Sequence, residues 1–467
     1  MREYNDHNNR ITRVISLLLA ASLCISGCGL RHRSADETLL GRLGLFKSED
    51  EASNEGTETE SILVYDTDGS EITASESVID MMEGEEDDFL SASDLVAAAD
   101  HLVGDGSSDY AYSKLNEAEM QTYDEILAIL REVESDVVLT TTDSTLVDHC
   151  FRCVLVDHPE IFYVTGYSIS KYMLADEIQK ITFKGSYTMD KAAVENKRTE
   201  VDSYVNQCLA SLPQDASEYE KVKYVYEYLI YNNTYDLESE NNQNILSVVE
   251  NGVTVCQGYA KMTQLLLNKL GIFCTLVNGL AENTSAALAD DDGTIYENSV
   301  ISREEAEEAD DGWGSHVWNI VMVDGEYYNV DTTWGDASFL YTDPGSDGYV
   351  EGPDINYDFL LVPDTMIKST HIADPVVDMP VCTSMKDCYY VREGLYFGTI
   401  DHDQLKAAFD NAYSRGDMFV SLKCSDDDMY QEMRRYLFEN EKIFDFLSGN
   451  SVKYVEYPDR CVLSIYL

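Results

Sequence analysis

Basic residues are scarce in this chain. Of its 467 residues, 32 are Lys or Arg and 87 are Asp or Glu, which gives a formal net charge of −55 at pH 7. So acidic a surface repels phosphate backbones and excludes nucleic acid as a partner. Between Ser48 and Ser113 there is no Lys, Arg, Pro or Cys, while 20 positions are Asp or Glu. One sign of charge with little apolar surface cannot offset chain entropy. The composition therefore predicts a solvated, self-repelling tether there, with room for a short helix around Phe89 to Leu102. Long apolar runs are also missing. Val14 to Ile25, after Arg2, Arg10 and Arg13, is too short to cross a bilayer and reads as a signal peptide. Eleven cysteines, two of them in that leader, are too few for a disulfide scaffold in a chain of this size. The nine that remain are an odd number, so at least one is a free thiol or bridges to another chain. Internal repeats are absent.

What is present suits two or three domains. Helical periodicity runs over Leu115 to Val133 and Leu146 to Val156, the second stopped by Pro159. Glu160 to Ser170 and Gln179 to Tyr187 read as strands. Lys191 to Leu212 and Ala216 to Tyr231 read as helices. Thr294 to Gly314 carries seven acidic residues and reads as an exposed loop. A composition change near Pro375 to Pro380 marks a boundary. The expected organisation is a leader over 1–28, the acidic tether over 29–110, a helical and stranded extension over 111–215, a core over 216–378 and a small α+β domain over 379–467.

The chemistry concentrates in two stretches of the core. The first, Ser315 to Asp336, is SHVWNIVMVDGEYYNVDTTWGD. Two alternating apolar runs meet at Asp324-Gly325, a strong hairpin signal. A two-residue turn pairs Val323 with Glu326, Trp318 with Asp331 and His316 with Thr333. His316, Trp318, Asp331 and Thr333 then share one face, and Trp334 lies on the other. His316 and Asp331 become diagonal neighbours, with Cα atoms roughly 7–8 Å apart. A carboxylate beside an imidazole fixes its tautomer and favours the imidazolium.

The second stretch is NGVTVCQGYAKMTQLLLNKLG, residues 251–271. Gly252 marks a turn, the apolar positions after Cys256 give a mostly buried helix, and Gly271 caps it. Cys256 stands at the helix start, where unpaired N–H groups and the macrodipole favour thiolate. A nearby imidazole adds to this by forming a Cys⁻/His⁺ pair. Ile272 to Asn278 follows as a strand. Helix-borne Cys, strand-borne His and Asp is the papain-like arrangement for acyl chemistry. Other candidates carry less. Cys150-Phe-Arg-Cys153 is a lone CxxC on an amphipathic helix, and Asp343 and Asp347 read as a turn.

The stretches GVTVCQGYAKMTQLLLNKLGI and SHVWNIVMVDGEYYNVDTTWGD resemble the transglutaminase-like superfamily, in its bacterial branch. The likeness covers about Tyr219 to Asp336, and Asp157 to Val164, DHPEIFYV, is similar to stretches preceding this domain in bacterial relatives. The resemblance implies an α+β, papain-like core with a nucleophile helix packed on an antiparallel sheet. It implies Cys256 as nucleophile, His316 as general base and acid, and Asp331 as orienter. Trp318 and Tyr259 are expected to line the substrate cleft. The implied activity is acyl chemistry on protein or peptide amides through a thioester, as protease, amidase or glutamine transferase. The alternative is a non-catalytic binding module of the cell envelope. Animal relatives use calcium, but no stretch here matches a calcium site, so neither metal nor cofactor is expected. His371, in Ser-Thr-His-Ile, resembles a His of relatives, and a structural role is expected for it. Ile25-Ser26-Gly27-Cys28 resembles a bacterial lipobox, which implies a lipid on Cys28 and a membrane-anchored, extracytoplasmic protein.

Overall fold

The computed structural model describes residues 57–65, 71–81, 89–98, 109–236, 242–282, 312–336 and 353–467. The expected leader with Cys28, most of the acidic loop before His316, and Asp343 and Asp347 lie outside them. The described residues belong to one compact unit within Glu49–Leu467. Among them, no helix is long and apolar enough to cross a membrane.

The described residues carry three larger sheets and one two-stranded sheet. The first has the order β1-β2-β4-β5-β3. It comprises β1 (Thr57–Tyr65), β2 (Glu71–Asp80), β3 (Val137–Val138), β4 (Val164–Leu174) and β5 (Glu177–Tyr187). Two helices, α2 (Glu117–Glu132) and α3 (Ser144–Asp157), pack on it with Ile126, Leu130, Phe151 and Val154 buried. The capping box at Asn116 and Glu119 starts the first of these, and Asp143 caps the second. Part of the expected tether is folded into this layer. Residues 57–65 and 71–80 form a hairpin whose second strand runs parallel to β4, and α1 (Ala92–Ala98) follows. Composition obscured these elements because an edge strand can keep polar side chains while its backbone pairs. The edge strand is β1; β2 lies inside the sheet between β1 and β4, its Ser77 hydroxyl 2.8 Å from that of Ser170.

Next come α4 (Lys191–Leu209), α5 (Glu218–Asn232), β6 (Thr234–Tyr235), α6 (Ile245–Asn251), β7 (Val253–Thr254) and α7 (Cys256–Lys269). The second sheet has the order β11-β10-β9-β8-β12. Its strands are β8 (Cys274–Glu282), β9 (Trp313–Val323), β10 (Glu326–Val330), β11 (Leu360–Val362) and β12 (His371–Ala373). The expected hairpin register holds, from Val323 opposite Glu326 to Asn319 opposite Val330. Asp324 and Gly325 take positive φ of 48° and 82°, as a two-residue turn of this hand requires. Odd positions of β9 look toward α7, where Asn319 Nδ2 donates to Ala260 O at 3.1 Å. Trp318 and Ile320, on the even positions, join a second apolar cluster with Val277, Trp334, Phe359 and Ile367.

The helix α7 is pinned on several sides. Leu266 and Leu267 are fully buried, each contributing about 1.5–3 kcal/mol. Gln264 Nε2 donates to Val156 O of α3 at 2.8 Å. The third sheet is built in the C-terminal segment from β13 (Tyr396–Phe397), β14 (Phe419–Cys424), β15 (Tyr454–Tyr457) and β16 (Val462–Tyr466), in the order β13-β14-β16-β15. Lys423 Nζ and Arg460 Nη1 reach Asp358 Oδ1 and Oδ2 at 2.9 and 3.1 Å, which ties this segment to the core.

Candidate active site

Cys256 is the first residue of α7, as its sequence context requires. Val255 precedes it in extended conformation and supplies no side-chain cap. The first N–H groups of the helix therefore point out of its end without a capping partner. Gly258 is needed here because a Cβ would run into Thr254 Oγ1.

On the sheet, His316 Nε2 meets Asp331 Oδ2 at 2.7 Å. That leaves Nδ1 as the ring nitrogen available to Cys256. Burial alone would lower the pKa of His316. The Asp331 charge and hydrogen bond reverse this, the interaction with Cys256 adds to it, and the pKa rises to about 10. Burial likewise opposes ionisation of Asp331, but His316 and His371 more than compensate and hold its carboxyl well below the usual range. Among the three, Cys256 keeps 9% of its surface exposed, His316 6% and Asp331 none. A reactant can thus approach the sulfur and the ring but not the carboxylate. Burial, the leading cause in each case, pushes the other eight thiols up, Cys388 to about 11 and Cys208 to about 12. All nine described cysteines are free.

The ladder ends sooner than the alternation implied. Past Val330, the Asp331 N–H donates to Phe359 O at 3.0 Å, and the chain turns into a short helix, α8 (Thr332–Gly335). Asp331 caps that helix, its Oδ1 accepting from the N–H groups of Thr333 and Trp334 at 2.9 and 3.1 Å. The turn corrects two expectations. Thr333 does not pair with His316, and Trp334 comes to the site, its ring 6.4 Å from that of His316 and 4.9 Å from that of His371. Trp318 shares the face of His316, 6.2 Å away and nearly parallel, but it is 2% exposed and donates to Asn329 Oδ1 at 3.1 Å. It is a wall of the site rather than an open cleft. Tyr259 does not line a cleft. One helical turn after Cys256 it points inward, fully buried, and its hydroxyl donates to Asp336 Oδ2 at 2.9 Å.

Tyr235 escaped the sequence reading, and His371 was expected there only in a structural role. His371 Nε2 reaches Asp331 Oδ2 at 2.9 Å, beside His316. Gly279, in the strand between them, was the available trace. Tyr235 lies near Cys256 and Asp331, whose charges add to burial in pushing its phenol up. Donor atoms of His316, Asp331 and His371 lie within 4.8 Å of one another, a spacing a metal ion could use. Both imidazole contacts to Oδ2 are at hydrogen-bond length, which accounts for the cluster without one.

Residues 206–332 match the family model of the transglutaminase-like superfamily. The chain contains a transglutaminase-like domain. That match takes in Cys256, His316 and Asp331, and the domain mixes helix and sheet as expected. Kyphoscoliosis peptidase of Mus musculus is 24% identical over 141 residues, 29% of this chain and 19% of that protein. The chain therefore spans about a fifth of that relative's length. A crystal structure of a TGase is 14% identical, with a TM-score of 0.23 over 40% of this chain and 55% of the other. One from Cytophaga hutchinsonii, described as a candidate cysteine protease, is 9% identical, with a TM-score of 0.20 over 35% and 61%.

Proposed function

We propose that this protein performs cysteine-dependent acyl chemistry on protein or peptide amides. The observation that carries the reading is His316, poised between the Cys256 thiol and the Asp331 carboxylate. In the first step the Cys256 thiolate attacks an amide carbonyl. The Cys256 N–H, at the uncapped helix start, is placed to stabilise the oxyanion, and such a donor is typically worth ~2.7–4 kcal/mol. The C–N bond breaks as the His316 imidazolium gives its proton to the leaving nitrogen, which departs as amine or ammonia. A thioester on Cys256 remains. Water or an acceptor amine then attacks it, His316 takes the incoming proton, and the thiolate is released. Water makes the enzyme a protease or amidase, and an amine makes it a transferase.

The test is incubation with a glutamine-bearing peptide and a labelled primary amine, alongside Cys256→Ala. Amine incorporation identifies a transferase, and ammonia or peptide release identifies a hydrolase. Both should vanish in the variant. Full turnover by Cys256→Ala would overturn the reading.

On the same terms, Cys28 carries a lipid that holds the protein at the outer face of a membrane, since each buried methylene contributes about 0.8 kcal/mol. Cys28→Ser should move the protein to the soluble fraction. If the variant stays with membranes as wild type does, the anchor lies elsewhere.

A further inference from the structure

Asp331 is an unusually full acceptor. Its Oδ1 takes two backbone N–H groups of α8, and its Oδ2 takes two imidazoles, His316 at 2.7 Å and His371 at 2.9 Å. The second imidazole is built in with care. His371 is the first residue of the three-residue strand β12, on the edge of the sheet beyond β8. Its ring is boxed by Trp318 at 5.1 Å, Trp334 at 4.9 Å and Phe359 at 5.7 Å. Its other nitrogen, Nδ1, lies 2.9 Å from Thr370 Oγ1. It is fully buried and touches no solvent. Gly279 lets the strand come this close, because a Cβ there would run into the Ile372 carbonyl.

We propose that His371 is a positioning residue of this site: by donating Nε2–H to the Asp331 oxygen that His316 also uses, it sets how strongly that carboxylate holds the catalytic imidazole. The inference rests on the acyl-transfer reading of Cys256 and His316.

The two rings differ in state although they share one oxygen. Burial, and then the charge of His316, holds the pKa of His371 down against the pull of Asp331. A neutral ring with hydrogen on Nε2 presents Nδ1 as an acceptor to the Thr370 hydroxyl at 2.9 Å, a hydrogen that Ile367 O competes for at 3.2 Å. It thus brings a donor to Asp331 without a second positive charge. Two donors on one oxygen each receive a weaker bond than either would alone. The N–H dipole of His371 also turns its positive end toward the imidazolium. Both effects temper the basicity of His316, so that it can release its proton to a leaving amine. The titratable groups facing the pair are Cys256 of α7, Tyr226 of α5 and Tyr235 of β6, besides Asp331 itself.

The probe is iodoacetate. Its anion is drawn to the imidazolium, so its rate on Cys256 rises as thiolate forms and falls as His316 loses its proton. The pH profile is measured on the full chain for wild type, His371→Phe, His371→Gln and Thr370→Val. His371→Phe removes the donor and should move the alkaline limb to higher pH by half a unit or more. His371→Gln keeps an N–H for Asp331 and should stay with wild type. Thr370→Val removes the hydroxyl beside Nδ1 and should shift the limb in the same direction by less, which keeps a test available if His371→Phe does not fold. A residue that only fills space would leave the limb in place. The inference is overturned if the limb of the folded variants superimposes on wild type or moves to lower pH, or if Gln and Phe behave alike. A wild-type profile with no bell shape would instead overturn the acyl-transfer reading on which the inference stands.

Discussion

Gly279 lies so close to Ile372 that no side chain fits between the two strands that carry them. It stands opposite His316 on one side and Ala373 on the other. Gly279→Ala should therefore push β12 off the sheet and withdraw His371 from Asp331. Overpacking of this kind typically costs about 1–3 kcal/mol. Chemical denaturation should register that loss, and the alkaline limb of iodoacetate labelling should move as in His371→Phe. Wild-type stability in the variant would mean that the strands can part without penalty.

Asp331 joins four donors, so its replacements should separate geometry from charge. Asp331→Asn keeps an oxygen for the α8 cap but turns an N–H₂ toward two imidazoles. Turnover should fall about 10³- to 10⁴-fold, the scale for misorienting such a base. Asp331→Ala leaves the buried rings and the helix start unpartnered and should cost about 3–5 kcal/mol of stability as well. Denaturation curves and turnover on the same peptide check both. An Ala variant as stable as wild type would contradict the network.

The His316–Asp331 pair also predicts a pH dependence of stability. The folded pKa of His316, at about 10, lies above its unfolded value of about 6.5. Its contribution is complete below about pH 6.5 and is lost as the pH rises through about 10. Asp331 is shifted the other way, so its contribution is present above about pH 4 and fades in stronger acid. The melting temperature of wild type should exceed that of His316→Gln most clearly between these limits, and the gap should narrow toward pH 10. A gap that widens with alkali would reverse the assigned charge on His316.

Cys256→Ala removes a side chain at the rim of the site and should leave the fold intact. Its melting temperature should stay near that of wild type while all labelling at this position and all turnover disappear. Since burial holds the other eight thiols protonated, the remaining alkylation at neutral pH should be slow. Rapid labelling of Cys153 or Cys461 in this variant would show a second reactive thiol.

Much of this site was legible because the signals were local. Asp324-Gly325 set the hairpin register, and the glycines around Cys256 marked a helix start that buries its apolar face. Legibility ended where the chain left its periodic pattern. Asp331 gives its N–H to Phe359, a partner 28 positions away, and the resulting turn swings Trp334 to the face where alternation would not put it. His371 sits in a strand too short to show any period, so its partnership with Asp331 could not be read from spacing. At the other end, acidic composition hid β1 and β2, whose backbones pair with each other and, through β2, with β4.

The most direct measurement is the rate of iodoacetamide alkylation of each cysteine, mapped by mass spectrometry at neutral pH in wild type and His316→Ala. The account predicts that Cys256 reacts at least 100-fold faster than the other eight thiols and loses that advantage in the variant. A Cys256 that reacts no faster than its buried neighbours, or equally fast without His316, would contradict it.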